Sequence, residues 1–477
     1  MTRDSVYPYS VVLVTALASS GCVSGSVASD VARVREVTQL RLLPEVADAE
    51  VELDAKAEVL PEAGQALDVE AAVRLALLNN RELRATLREL GIVRGRVLQA
   101  GLLPNPIVEA EVQPERDSII ELRVEYDLKS ALLAPLRQRA LAPELEAARH
   151  HAAASVVQLG YRVRAAFYRA QSAIDGLGIA QRGLDALAAA RDATRAMDEA
   201  GNIAALERAS REAAFERGRI VVAELELRAT VEKEALQQLL GTFGTATAWQ
   251  FAGPLGPAPA QTAVPERLET AVLRASFELL EARQKLEGLA RQAGVTRVDG
   301  WLPDVSADVH ALHTDPTPDA AISAGQPWRF GAGVSVQLPV FNRKQGMSAS
   351  LEAEFDAGLE RYLGMAVDLR STARVARARV VSAHARARQF HDVILPAVRR
   401  VSDETQLQYN AMQIGIFHLV AQRREVLDVE LAEVETRREY WTAAAELGAL
   451  LAGTRVDSEG DRKPVTNATT SGPMGGH

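Results

Sequence analysis

The only cysteine among the 477 residues is Cys22, close to the N-terminus. A single thiol forms no disulfide within the chain and rules out a site of several thiolates around one metal ion. Cys22 follows Arg3 and an apolar run over residues 11–20. A basic residue, an apolar segment and small residues before a cleavage point are typical of a secretory signal. We therefore predict a signal peptide over residues 1–21, whose removal leaves Cys22 as the first residue.

This signal resembles that of bacterial lipoproteins, in which the thiol of the first residue is acylated. The resemblance implies a lipid anchor on Cys22. One position departs from the pattern, because such signals commonly carry leucine where this chain has Ser19. The alternative is an export signal that contains a cysteine by chance.

The other residue types that could carry chemistry do not form a catalytic pattern. The sequence contains no His-Glu-x-x-His, Gly-x-x-x-x-Gly-Lys or Gly-x-Ser-x-Gly element, and its eight histidines are scattered. His150 and His151 are adjacent, so on a helix they point in different directions and make a poor pair of metal ligands. We predict no enzymatic activity, no cofactor and no bound metal.

The overall charge excludes nucleic acid as a partner. Lys and Arg number 54 against 63 Asp and Glu, which gives a formal net charge of −9 and an isoelectric point near 5.6. A polytopic helical membrane protein is excluded as well, since residues 11–20 form the longest uncharged apolar run and a membrane-spanning helix needs about 20 residues.

The chain contains an internal duplication. Gly101-Leu102-Leu103-Pro104 matches Gly300-Trp301-Leu302-Pro303, and the sequence around Gly201 matches that around Met412. We predict repeat 1 over residues 67–252, a Pro-rich linker over 253–265 and repeat 2 over 266–453. Residues 22–66 precede the repeats as an N-terminal periplasmic segment, and the polar residues 454–477 are predicted to be a disordered tail.

Each repeat contains one stretch in which apolar and polar residues alternate strictly, over 105–128 and 304–340. Alternation with a period of two predicts a β-hairpin in each. An apolar face opposite a charged face suits a membrane barrel with lipid outside and water inside, and a soluble two-stranded ribbon would show the same alternation. The residues predicted to line the water-filled lumen are Glu109, Glu111, Glu121, Arg123, Glu125, Asp308 and His310.

Four strands cannot close a barrel, and open sheet edges are not tolerated in lipid. We therefore expect other copies of the chain to complete it, with two, three or four protomers all compatible with the sequence.

The remainder of each repeat has helical periodicity. Apolar residues recur every seven positions in two rows, for example at Ala152, Leu159 and Ala166, which predicts a coiled-coil seam within a long helix. A helix of some 65 residues is about 100 Å long. The fold class predicted is mainly α with a small β part: duplicated long helical hairpins plus two β-hairpins.

These residues resemble the TolC-like outer-membrane efflux channel family over roughly residues 67–453. The most specific segments are Ala76-Leu77-Leu78-Asn79-Asn80, Leu102-Leu103-Pro104-Asn105-Pro106, Leu338-Pro339-Val340-Phe341-Asn342-Arg343, Ile394-Leu395-Pro396 and Tyr409-Asn410. The resemblance implies a homotrimer with a twelve-stranded β-barrel in the outer membrane of a Gram-negative bacterium. It also implies a helical barrel that crosses the periplasm to an adaptor, or membrane fusion protein, and an inner-membrane pump of the RND type.

In this family the turns between the long helices lie at the periplasmic tip, where they meet the adaptor and form the aperture. The matching residues here are Gly201, Asn202, Ile203, Met412, Gln413, Ile414 and His418. Members commonly carry glycine at the position of Met412 and acidic residues at those of His418 and Ala421, so a ring of carboxylates is not expected. Three His418 side chains near the axis would make the tip more positive below about pH 6.5; the alternative is a histidine that faces a neighbouring helix.

The function expected is thus a passive exit duct for drugs or metal ions. The alternative is a periplasmic coiled-coil adaptor or scaffold lipoprotein, which would carry one helical hairpin rather than two.

Overall fold

The computed structural model describes residues 27–39, 66–113, 119–201, 203–314 and 328–456. The predicted fold class, mainly helical with a small antiparallel β part, is confirmed. The signal peptide, Cys22, most of the N-terminal segment, Asn202 and residues 457–477 lie outside the described residues.

The chain is a duplicated series of helices and strands. Repeat 1 follows the short helix α1, and it begins at the two-residue strand β1 and ends with the two-residue strand β4. The bounds are α1 Val27–Gln39, β1 Ala66–Leu67, α2 Val69–Asn79, α3 Arg81–Gly101, β2 Ile107–Gln113, β3 Ile119–Asp127, α4 Leu128–Glu199, α5 Ala205–Leu240 and β4 Gln250–Phe251. Repeat 2 comprises α6 Leu268–Ala275, α7 Phe277–Trp301, β5 Asp304–Thr314, β6 Trp328–Gln337, α8 Gln345–Gln389, a π-helical turn Phe390–Ile394, α9 Leu395–Asn410 and α10 Ile416–Leu451.

The two β-hairpins form one antiparallel sheet in the order β2-β3-β5-β6. Ala110 pairs with Leu122, Leu122 with Ala311 and Ala311 with Phe330, so one register runs across all four strands. Because side chains alternate between faces, this register gathers the apolar residues of all four strands on one face. Within the described residues β2 and β6 each pair with one neighbour, and both are therefore edge strands.

By compactness the chain divides into two units, and the first contains the sheet. It comprises Met1–Val37, Arg84–Ala153 and Phe277–Ala366. Its helical core is built from Leu87, Leu90, Leu133 and Phe277, all of which are buried.

The second unit comprises Thr38–Leu83, Ala154–Ser276 and Val367–His477. The heptad rows lie buried here, with Val163, Ala166 and Ala170 on α4 and Ala373, Val380 and Ala387 on α8. Small side chains at these positions let the helix backbones approach closely, as the predicted seam requires. An aromatic cluster supplements them, since the Phe251 ring lies 5.0 Å from Phe167 and 5.2 Å from Trp249 in edge-on geometry.

The Pro-rich linker is held down by hydrogen bonds from the helices of this second unit. Gln171 of α4 donates to the Gly253 carbonyl (2.6 Å), and Asp175 accepts the Leu255 amide (2.8 Å). From α10, Arg437 donates to the Leu255 carbonyl (2.5 Å) and Trp441 to the Gly256 carbonyl (2.9 Å). Helices of both repeats thus hold the linker in place.

The regular α-helix is interrupted near Pro396, as the chemistry of proline requires. A proline inside a helix removes one hydrogen bond and crowds the preceding turn. The chain adopts the π-helical turn Phe390–Ile394 just before it and places Pro396 in the first turn of α9, where a missing amide costs nothing.

Helix α1 docks on the first unit through a buried ion pair. Asp30 is fully buried and accepts hydrogen bonds from Arg94 Nε (2.5 Å) and Arg149 Nε (3.0 Å). Burial on its own raises the pKa of Asp30, but the hydrogen bonds and positive charges of Arg94 and Arg149 outweigh it, so the pKa lies below its ordinary value. The carboxylate therefore clamps α1 to α3 and α4.

We expect Asp30→Asn to release α1, because it leaves two largely buried guanidinium groups without their counter-charge. A loss of about 3 kcal/mol in the free energy that holds α1 in place corresponds to amide hydrogen exchange that is more than a hundredfold faster across Val27–Gln39. Since the folded-state pKa is depressed, the stabilisation is present above the unfolded value of about 3.9 and is lost as pH falls below it. Glu36→Gln, an exposed change on the same helix, is the control; equal protection in both variants would contradict the clamp.

Candidate functional site

The predicted lumen-facing residues share one face of the sheet. Glu109 is paired with Arg123 and Arg123 with His310, while Glu125 is paired with Asp308 and Glu111 with Glu121. The register therefore brings together seven residues from β2, β3 and β5 that sequence alternation singled out one strand at a time. Whether this face lines a lumen remains a prediction.

Two polar contacts organise this face. Arg123 donates to Glu121 at 2.9 Å, and His310 Nδ1 lies 3.1 Å from an Asp308 carboxylate oxygen. Arg329 of β6 adds a second arginine, paired in register with Leu312. With Asp127 and Asp304 at the strand ends, seven carboxylates against two arginines leave the face acidic, and an acidic surface concentrates cations in a salt-dependent way.

Two glycines of β6 shape the same face, and the alternation pattern did not single them out. Gly331 is paired with His310 and Gly333 with Asp308. A methyl group added at either glycine would collide with the His310 ring or the Asp308 carboxylate. The side chains of His310 and Asp308 therefore lie over β6, in the space that any residue larger than glycine at these two positions would occupy.

The opposite face of the sheet is apolar from edge to edge. Its members are Val108, Ala110, Val112, Ile120, Leu122, Val124, Tyr126, Val305, Ala307, Val309, Ala311, Phe330, Ala332, Val334 and Val336. The pair His313 and Trp328 ends this face, with ring centroids 4.7 Å apart. A face of this composition suits contact with lipid hydrocarbon.

The turn between α4 and α5 is built on a glycine. Gly201 has φ +73°, and its amide donates to the Asp198 carbonyl at 2.9 Å. Glycine adopts this left-handed conformation without a steric penalty and commonly ends a helix in this way. Arg208 and Asp198 bridge the turn at 2.9 Å, and Ile203 is half-buried.

The matching turn between α9 and α10 holds a methionine in the left-handed conformation. Met412 has φ 57° and is 93% exposed. Its amide donates to Tyr409 and that of Gln413 to Gln408, both at 2.9 Å, which completes the helix end. This conformation costs an L-amino acid about 1–2 kcal/mol. The second turn is therefore strained, whereas the first turn, which has glycine at this position, is not.

The remaining predicted tip residues surround that turn. Gln413 and His418 are exposed and Ile414 is half-buried, with His418 in the first turn of α10. Phe417, next to His418, makes a cation–π contact with Arg211 of α5, whose guanidinium carbon lies 4.4 Å from the centre of the ring. This contact links the two helical hairpins. Sequence reasoning missed this contact because the two residues lie in different repeats.

The two adjacent histidines in the first unit do point apart, as expected on a helix. His151 pairs with Glu281 at 3.2 Å, and this hydrogen bond raises the pKa of His151 despite partial burial. His150 instead faces the Phe277 ring at 6.5 Å. In the described part of the chain, no group of three or more His, Cys, Asp or Glu is arranged to hold a metal ion. The helices described there also include none long and apolar enough to span a membrane.

Comparison with known proteins gives relatives over most of the chain, although no family model matches. The chain is 26% identical over 409 residues to the cobalt-zinc-cadmium resistance protein CzcC of Cupriavidus metallidurans, covering 82% of this chain and 91% of the relative.

Solved structures share the fold. A membrane protein from Pseudomonas aeruginosa matches with a TM-score of 0.68 at 18% identity, over 83% of this chain and 92% of its own. The Campylobacter jejuni CmeC outer membrane channel matches with a TM-score of 0.62 at 14% identity, over 86% and 93%.

The two turns yield a reciprocal prediction. Met412→Gly removes the left-handed strain and should stabilise its turn by about 1 kcal/mol, whereas Gly201→Ala introduces the strain and should cost its turn about the same. Apart from its chain neighbours, no described residue has an atom within 4 Å of a methyl group added at Gly201, so the conformational effect is isolated from packing. Amide exchange measured by mass spectrometry should become about fivefold slower around Gln413 and about fivefold faster around Gly201. A change of the exchange rate in the same direction in both variants would contradict this interpretation.

Proposed function

We propose that this chain is a TolC-like outer-membrane efflux channel and the outer-membrane exit duct of a tripartite export system. Its expected location is the outer membrane of a Gram-negative bacterium, where its relatives act as channels rather than enzymes.

The observation that carries this proposal is the four-stranded sheet with two distinct faces and two open edges. In lipid, every backbone N–H and C=O must be hydrogen-bonded, so a spanning sheet must close on itself. Four strands are too few to close, and within the described residues the outer edges of β2 and β6 have no partner strand and could pair with further copies. Three protomers, as the family resemblance implies, would supply twelve strands. In such a barrel the apolar face meets lipid and the acidic face lines the lumen.

The helices provide the periplasmic part of the proposed duct. Two helical hairpins per chain, α4–α5 and α8–α10, would give twelve helices in a trimer. The turns at Gly201 and Met412 would then form the tip, where a periplasmic adaptor binds and connects the duct to an inner-membrane pump. The two long hairpins also weigh against an adaptor, which carries one.

The sequence shows no nucleotide-binding element, so the pump must supply the driving force. We propose metal cations as the cargo in preference to drugs, on two grounds. CzcC, which is named for cobalt, zinc and cadmium resistance, is similar to this chain over 82% of this chain's length. The acidic face of the sheet would also favour cations over anions.

The lipid anchor on Cys22 remains part of the proposal. Cys22 lies five residues before α1 begins at Val27, which limits its reach to about 18 Å from that residue. An acyl chain there would hold the N-terminus at the membrane, close to helices α3 and α4.

The trimeric barrel can be tested by membrane fractionation. The full chain should remain in the outer-membrane fraction after a high-salt wash and should run on unheated gels as a trimer that heating converts to the monomer. Cys22→Ser should lose incorporation of labelled palmitate yet keep the heat-modifiable trimer, because paired strands rather than the acyl chain hold it together. Release by salt as a monomer would exclude the barrel and favour a peripheral scaffold.

The hypothesis on His418 can be tested by single-channel recording between pH 5 and 8. If His418 lies at the aperture, cation preference should weaken towards the acidic end of this range, and His418→Ala should remove that dependence. His384→Ala is the control, because His384 contacts the Pro259 carbonyl of the linker, outside the tip turns. An unchanged preference across this range in the native channel would leave His418 as a residue that only packs.

A further inference from the structure

We propose that residues 338–344, with Trp301, form a lipid-docking loop in which Arg343 binds the headgroup phosphate of a phospholipid. The proposal rests on the proposed function only in that it requires the sheet to lie in a membrane. It adds a defined site for one class of lipid group at the edge of that sheet.

The loop exposes large apolar side chains directly after a membrane strand. β6 ends at Gln337, and Leu338, Val340 and Phe341 follow with exposures of 67%, 58% and 91%. Trp301, at the end of α7, adds a ring that is 64% exposed. A cluster of this kind is unfavourable in water. It is continuous with the apolar face of the sheet, and lipid is the medium that would cover both.

Arg343 is the cation of this loop that lacks a counter-ion. Its guanidinium lies 4.5 Å from the centre of the Trp301 ring, and its Nε donates to the Pro339 carbonyl at 3.3 Å. In the described part of the chain no carboxylate pairs with it, although its neighbours are neutralised. Lys129 contacts Asp299 (2.9 Å) and Asp304 (2.6 Å), and Lys344 also pairs with Asp299. One net positive charge therefore remains, at Arg343.

The backbone holds the loop in place before any ligand binds. A methyl group added at Gly300 would collide with the Arg343 carbonyl, so the loop lies directly against the end of α7. The Asn342 side chain accepts the Lys344 amide (3.0 Å), and the Gln345 side chain accepts the Arg343 amide (2.8 Å). A site that is ordered in advance loses less entropy on binding.

A phospholipid satisfies both halves of this surface. Tryptophan and arginine settle at the boundary between hydrocarbon and water, where the ring meets acyl chains and the cation meets phosphate. An arginine that is stacked on an aromatic ring presents its planar donors to two phosphate oxygens at once. A free phosphate ion would use Arg343 and leave Leu338, Val340 and Phe341 in water, so the lipid is the better match.

The test uses tryptophan quenching in the full chain, reconstituted into vesicles of phosphatidylethanolamine and phosphatidylglycerol with brominated acyl chains. Comparison with Trp301→Phe isolates the Trp301 signal. We expect bromine near the headgroup to quench it at least twofold more than bromine deep in the chains. Brominated phosphatidylglycerol should also quench more than its fraction of the lipid predicts.

Variants test whether residues of the loop cause the quenching of Trp301 and its preference for phosphatidylglycerol. Arg343→Gln should abolish the preference for phosphatidylglycerol, and Phe341→Ser should reduce quenching of Trp301 severalfold. Arg297→Gln is the matched control, since Arg297 is an exposed arginine on α7 that pairs with Glu352 (2.6 Å). An equal loss of preference in Arg297→Gln would point to general charge attraction and overturn the assignment.

Trp328 separates this proposal from the proposed function. It lies on the apolar face of β6, so it should be quenched in any bilayer-spanning barrel. Quenching of Trp328 without Trp301 would overturn the docking loop alone, and quenching of neither would overturn the barrel as well. Loss of the phosphatidylglycerol preference on addition of excess inorganic phosphate, with the total quenching of Trp301 unchanged, would identify a free-anion site instead.

Discussion

The architecture depends on the requirement that backbone hydrogen bonds be satisfied in lipid. The sheet has four strands, and both of its edges are open within the described residues. In water such edges would be a liability that proteins shield with charges, prolines or covering segments. Here β2 and β6 remain long and regular, and their apolar face is wholly exposed. Both features fit the proposal that strands from other copies complete the sheet, in which the single chain is one part of a closed structure.

Periodicity in the sequence located most of the repeating structure. Both β-hairpins, the long helices, the linker and the two turns follow from patterns with periods of two or seven and from turn residues. These signals work because each depends on residues close together in the chain. The strand register across β3 and β5 does not follow, because any shift by an even number of residues also keeps the apolar residues on the same face.

The features that sequence reasoning missed all involve partners far apart in the chain. Asp30 meets Arg94 and Arg149 across 64 and 119 residues, and no local pattern marks those two arginines among the many others. The linker was predicted as a connection, yet its backbone is bound by side chains of three helices. Gly331 and Gly333 fitted the alternation as small residues, but their purpose depends on His310 and Asp308 in the neighbouring strand.

Arginine has several different roles in this chain, which its environment decides. Arg94 and Arg149 neutralise a buried carboxylate and hold a helix, while Arg123 neutralises Glu121 on the acidic face. Arg343 lies on an aromatic ring without a carboxylate, among exposed apolar side chains. An anion and a hydrocarbon layer together match a guanidinium without a counter-ion and the exposed apolar side chains around it. The edge of a phospholipid leaflet supplies both, and for this reason the charge at the end of β6 is more than a solvated surface residue.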